Sequence, residues 1–211
     1  MMVQPVTDLN VERIRANLAR IREQAGPDVE ILAATKYVRA EDMGGLAQAG
    51  VELVGENRLQ DLEEKHERWD QAFTWDFIGN VQSRKVKRIL PLVRLIHSVA
   101  SDSVLEQLGR HGDADTEVLV EVNLSGEEGK GGIGPADLDD FIERCPVTVS
   151  GLMTMPPFTE DAEASRPYFK RLAELASERD LVRLSMGTSQ DWPVAVEEGA
   201  TIVRVGSVLW P

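Results

Sequence analysis

The chain has 211 residues, 42% of them hydrophobic and 28% charged, and a formal net charge of −13. That length suits one well-buried core, and so acidic a surface argues against phosphodiester backbones and anionic lipids as partners. The one cysteine, Cys145, excludes an intramolecular disulfide and any cysteine-based metal cluster. The N-terminal segment lacks an apolar stretch of signal-peptide length, and no window approaches a membrane span. A cytoplasmic monomer without nucleic-acid or membrane partners is expected.

Val11, Ile14, Leu18, Ile21 and Ala25 recur at helical spacing and predict an amphipathic helix. Asp8 or Asn10 can cap its start, and Gly26-Pro27 ends it. After it, extended runs are expected at 29–35, 51–57, 73–79, 95–99, 116–124, 147–155, 181–187 and 201–207. Helical stretches fall between them, the clearest at 40–49, 102–111, 135–144, 160–178 and 191–198. Such alternation implies parallel strands joined by helical crossovers. Eight units suit a closed (β/α)8 TIM barrel of the α/β class, one domain over residues 1–211, with the leading helix completing the outer ring. An open flavodoxin-like or Rossmann sheet is the alternative, weakened by the lack of a G-x-G-x-x-G turn after the first strand.

In such a barrel, functional groups stand at the C-terminal ends of strands. Those positions hold Thr35-Lys36, Gly55-Glu56-Asn57, Gly79-Asn80, His97-Ser98, Asn123, Met153-Thr154, Ser185-Met186-Gly187 and Arg204-Val205-Gly206-Ser207. Lys36 shares its alternation parity with Leu32 and Ala34, which would turn its amine into the barrel. A lysine held there is paired or neutral, and the neutral amine is the form that attacks a carbonyl. The competing reading is a strand-end lysine reaching solvent, and the residues alone leave both open.

Phosphate sites in these barrels lie after strands seven and eight. Gly187 and Gly206 would admit a phosphate close to backbone N–H groups, while Ser185 and Ser207 offer hydroxyls. The competing reading assigns the glycines to tight turns and pairs Arg204 with an acidic neighbour. The loop 126–132 superficially matches a phosphate-binding loop but lacks Ser or Thr after Lys130, so a loop at the barrel mouth is expected. His66, His97 and His111 have no metal-ligand spacing, and no G-x-S-x-G elbow presents a nucleophilic serine.

Taken together, AATK (33–36), GENRLQD (55–61), WDFIGNVQSRK (75–85), VNLSGEEGKGG (122–132), GLMTM (151–155), SMGTSQDW (185–192) and TIVRVGS (201–207) give the chain its resemblance. Over nearly its whole length it resembles the pyridoxal phosphate homeostasis protein family. The resemblance implies a barrel similar to the alanine racemase N-terminal domain (fold type III), with pyridoxal 5′-phosphate (PLP) as a Schiff base on Lys36. It also implies a phosphate held by Ser185-Met186-Gly187 and Arg204-Val205-Gly206-Ser207, Arg204 facing the pyridine nitrogen, and Asn57 lining the pocket. The chain departs from the family's usual His at Asn80, Asn at Arg84 and Met at Thr188, and its ending lacks the usual short tail.

A cation beside the ring nitrogen disfavours protonation there and weakens the cofactor's electron sink. Racemisation further needs a base on each face of the substrate carbon, and Lys36 supplies one. The resemblance therefore implies a binding protein for intracellular PLP homeostasis, which holds the cofactor reversibly and delivers it to apo-enzymes. The alternative is a PLP-dependent, racemase-like enzyme of weak activity. A Schiff-base aldolase on phosphosugars ranks third, because no carboxylate relay is identifiable.

Overall fold

The computed structural model describes residues 9–127, 129 and 131–210. Helix α1 (Val11–Ala25) buries Ile14, Leu18, Ile21 and Ala25 on one stripe. Asn10 Oδ1 accepts the Arg13 N–H at 3.0 Å and closes its first turn. Asp8, the other candidate cap, lies outside the described residues. Gly26, at φ +84°, ends the helix in a conformation glycine adopts without a side-chain penalty.

Eight strands follow: β1 (Glu30–Ala34), β2 (Leu53–Glu56), β3 (Thr74–Phe77), β4 (Leu95–Val99), β5 (Glu117–Glu121), β6 (Thr148–Met153), β7 (Arg183–Thr188) and β8 (Ile202–Val205). Each pairs in parallel with the next, and β8 returns to β1, so the sheet is a closed barrel in sequence order. Helices α2 (Met43–Gln48), α3 (Leu59–Trp69), α4 (Val86–Ile89), α5 (Asp102–His111), α6 (Leu138–Glu143), α7 (Arg166–Ser177) and α8 (Trp192–Glu197) fill the crossovers. The predicted alternation and closed barrel hold, and the open sheet is excluded. Several helices are shorter than their sequence patterns, because α2, α6 and α7 are each entered through a 3-10 turn that belongs to the same pattern.

Two apolar layers hold the barrel. Outward strand residues such as Ala33, Val54, Phe77, Val118, Leu152 and Val203 pack on the helices. Inside, Leu32, Leu53, Leu95, Leu119, Met153 and Ile202 form a separate buried cluster. The interior is not wholly apolar, however. Asp76, His97, Ser185 and Arg204 are also buried, on the strand faces that carry these inward residues. Among the described residues no helix is long and apolar enough to cross a membrane.

Candidate functional site

Strand β1 ends at Ala34, and there the alternation stops. Thr35 turns its hydroxyl to Glu56 Oε1 at 2.5 Å, and Val38 N–H closes a turn onto Thr35 O at 2.8 Å. Lys36 occupies that turn and is exposed, its Nζ 5.0 Å from the centre of the Tyr37 ring. The expectation that strand parity carries its amine inward is therefore corrected: the residue stands at the rim, where its four-carbon stem can swing. It borders an open cleft with Tyr37, Arg39, Glu41, Arg58 and Asp61.

The turn is fixed from below. Lys65, on α3, donates to Thr35 O at 2.9 Å and to Glu56 Oε1 at 2.5 Å, and both ionic side chains are buried. Burial is the dominant influence on Glu56 and raises its pKa, although Lys65 and Thr35 pull it back. Glu56 Oε2 and the neighbouring Asn57 Oδ1 are buried acceptors without a partner among the described residues. Unpaired buried acceptors are costly, and a pair of them on consecutive residues at a strand end marks a place for an outside donor.

Across the β1–β8 pairing lies the second part. The β8 segment ends in the turn of Gly206 and Ser207, with Gly206 half-buried and Ser207 exposed. A Cβ built on Gly206 would come within 3.3 Å of Ala34 O, so this turn runs against the root of the Lys36 turn. The two are side by side on adjacent strands. Ser189, just past β7, reaches over with its hydroxyl oxygen to accept N–H bonds from Gly206 at 2.9 Å and Val208 at 3.4 Å. Ser189 is not among the residues singled out from the sequence, although it lies inside the SMGTSQDW motif (185–192), which was its signal.

Asp191 holds this loop in place. Its carboxylate accepts from Thr188 N at 2.7 Å, Thr188 Oγ1 at 3.0 Å and Ser165 Oγ at 2.8 Å. Thr188 thus has a defined role in the fold. Gly187 packs against α8: at φ +89°, an added Cβ would lie 2.6 Å from Ala195 Cβ on that helix. Close helix packing is the demand on this glycine. Gly187→Ala is expected to cost at least about 2 kcal/mol through backbone strain and overpacking, read as a lower denaturant midpoint.

Ser185 lies deeper than the rim. Its Oγ is 2.8 Å from His97 Nδ1 and 2.5 Å from Arg204 Nη1. His97 Nε2 is 3.1 Å from Asp76 Oδ2, and Asp76 is gripped by Arg94 at 2.8 and 3.1 Å. Arg94 also binds Glu30 at 2.5 Å. Because β4 and β7 are not neighbours, the His97–Ser185 link crosses the lumen. Arg204 donates onward to Thr154 O at 3.0 Å and lies 3.9 Å from Met155 Sδ, at the mouth end of β6.

Burial opposes the charge on Asp76, but hydrogen bonds from His97 and Arg94 win and hold its pKa below the usual 3.8. Complete burial dominates at His97 and lowers its pKa despite Asp76, so the ring is neutral at pH 7. Burial also pushes Arg204 down to about 10, against the attraction of Glu121 and Asp191, which leaves it cationic at neutrality. No described carboxylate forms an ion pair with it; where the competing reading put an acidic neighbour, Arg204 has a hydroxyl and a carbonyl. His97 is legible in the sequence as a strand-end residue without metal-ligand spacing, whereas Asp76 is not, since its inward position emerges from the β3 register.

Asn80 and Arg84 are exposed beyond β3, Arg84 reaching Gln82 at 3.3 Å. Asn123 N–H donates to Ile133 O at 3.0 Å, which joins the two ends of the segment around the loop 126–132 next to β5. Glu128 and Lys130 in that loop lie outside the described residues.

Residues 9–210 match the family model described as "Alanine racemase, N-terminal domain". Alanine racemase from Corynebacterium glutamicum shares the fold, with a TM-score of 0.76 at 14% identity over 95% of this chain and 60% of that one. The class is thus an alanine-racemase-type barrel. Closer in sequence is a pyridoxal phosphate homeostasis protein from Aquifex aeolicus, 40% identical over 94% of this chain and 96% of that protein. Its counterpart from Pseudomonas aeruginosa is 34% identical over 95% and 93%. PipY of Synechococcus elongatus PCC7942, solved with PLP bound, superposes with a TM-score of 0.82 at 32% identity, over 94% of this chain and 100% of that one. The chain belongs to the pyridoxal phosphate homeostasis protein family.

Proposed function

We propose that this protein binds pyridoxal 5′-phosphate at the barrel mouth, with Lys36 as its tether, and serves intracellular PLP homeostasis by passing the cofactor to apo-enzymes. The observation that carries this reading is the juxtaposition of two strand ends. The Lys36 turn and the Gly206-Ser207 turn run against each other on β1 and β8, in a chain that PLP-bound PipY matches over 94% of its length. When bound, the cofactor supplies an aldehyde that forms a reversible Schiff base with an amine.

The residues present fit such a group. Neutral donors suit a phosphate, and the N–H groups of Gly206 and Val208 already converge on one oxygen, Ser189 Oγ. Having accepted twice, Ser189 has its own hydrogen to offer to a phosphate oxygen, and the exposed Ser207 adds a second hydroxyl. Ser185 serves Arg204 instead, and Gly187 serves by letting α8 approach the loop. Arg204 brings a buried positive charge to the mouth for the ring nitrogen, and the orphaned Asn57 Oδ1 is the acceptor left for a ring or water donor. The exposure of Lys36 leaves its amine within reach of water and of competing amines, which favours release over turnover.

Ser189→Ala tests the phosphate half. The cofactor's affinity is expected to fall roughly tenfold, the loss of one hydrogen bond to a charged group. Equilibrium dialysis with PLP and with pyridoxal separates the arms, since only the phosphate ester should sense the change; an equal loss for both would remove Ser189 from the site. Delivery is tested by mixing loaded protein with a PLP-requiring apo-enzyme. Reactivation faster than an equal concentration of free PLP achieves in the presence of a PLP-trapping amine is expected, and no advantage would sink the delivery role.

A further inference from the structure

The hydrogen-bond chain through the lumen has one permitted direction. Asp76 is ionised, and a carboxylate only accepts. His97 Nε2 must therefore carry the ring proton and donate to Asp76 Oδ2. Nδ1 is then a lone pair, so it accepts the Ser185 hydroxyl hydrogen. Ser185, having given that hydrogen, presents only lone pairs to Arg204 Nη1. Arginine has no acceptor, so each link determines the next. At the opposite end of the barrel, Arg94 fastens Asp76 to Glu30 and anchors the whole chain.

We propose that Asp76, His97 and Ser185 are positioning residues for Arg204: they hold its guanidinium in one orientation at the mouth while leaving its charge without a carboxylate partner. For the target of that charge, the inference rests on the proposed cofactor site. A carboxylate in place of Ser185 would neutralise the guanidinium. A neutral hydroxyl orients it and lets its field act on the ring nitrogen, which is thereby kept unprotonated. The hydroxyl can play this part only if His97 takes its hydrogen, and His97 can do so only in the tautomer Asp76 imposes. The charged groups facing His97 are Asp76 from β3, Arg94 ahead of β4 and Arg204 from β8. Only Asp76 favours a second ring proton, and burial with both arginines opposes it, so the direction persists through the neutral range.

Two readouts test this. In the cofactor-free chain, long-range 1H–15N spectra of the three histidines report each tautomer directly. His97 is expected as the neutral Nε2–H form, and Asp76→Asn, whose amide can donate to Nε2, is expected to turn it to Nδ1–H. A wild-type His97 that is Nδ1–H or doubly protonated at pH 7 overturns the proposal. With PLP added, Asp76→Asn and Ser185→Ala should each weaken binding roughly tenfold. They should also move the pH midpoint of the bound cofactor's visible band in the same direction as Arg204→Lys. If Arg204→Lys moves that midpoint and Ser185→Ala, checked for folding by thermal melting, does not, the positioning role is overturned. The expected tautomer without any Lys36-dependent band would instead overturn the cofactor site, and with it the target assigned to Arg204.

Discussion

Lys65→Met is expected to destabilise the protein by about 3–5 kcal/mol at neutral pH, because it strands a buried carboxylate. Lys65 is the cation beside Glu56, and Glu56 is wholly buried with one oxygen already unpaired. Methionine conserves the stem's packing, so the loss isolates charge rather than volume. The pH dependence has a definite sign. Glu56 has a folded-state pKa raised above its ordinary 4.5, so the folded state binds its proton more tightly than the unfolded one. Its contribution to stability is therefore fully present below the ordinary value and declines as pH rises through the folded one. Without Lys65 the folded pKa rises further, so the variant's deficit should shrink on acidification toward 4.5. Urea unfolding of both proteins across that range measures it; a deficit that is small at neutrality, or that grows with acid, would contradict the ion-pair account. The variant also takes one of two donors from Thr35 O and leaves it the Val38 N–H, so the Lys36 turn should loosen before the barrel does.

Lys36→Ala is the second large effect, and it is opposite in kind. Lys36 is exposed and, among the described residues, is held by no more than a ring contact with Tyr37, so its removal should change stability by no more than about 0.5 kcal/mol. The PLP-dependent visible band, by contrast, should vanish. Absorption spectra with added cofactor, alongside thermal melts, separate the two. An equal band in the variant would remove Lys36 from the tethering role, and a large drop in melting temperature would show that the residue is structural.

Much of this was legible in the residues because the period-two and helical patterns alternate so regularly. The β1 and β8 runs place Lys36 and Gly206 at strand ends without any structure. The direction of Lys36 was not legible: alternation is a property of strands, and Thr35 leaves the strand to bond Glu56. Ser185 and Gly187 read as the end of the seventh strand, where they do lie, but their partners come from β4, β8 and α8, and such long-range pairing leaves no local spacing signal. Asp76 reads as one acid among thirty-six Asp and Glu, and only the closed barrel turns it inward against His97. Ser189 is a loop serine until the β8 backbone is brought beneath it.

The central claim, that PLP is tethered on Lys36, is tested most directly by borohydride reduction of the PLP-loaded protein followed by peptide mass mapping. Reduction fixes a Schiff base as a stable secondary amine on whichever of the chain's six lysines carries it. The account predicts one pyridoxyl-phosphate adduct, on the peptide containing Lys36. An adduct on another lysine, or a loaded protein with none, would contradict it.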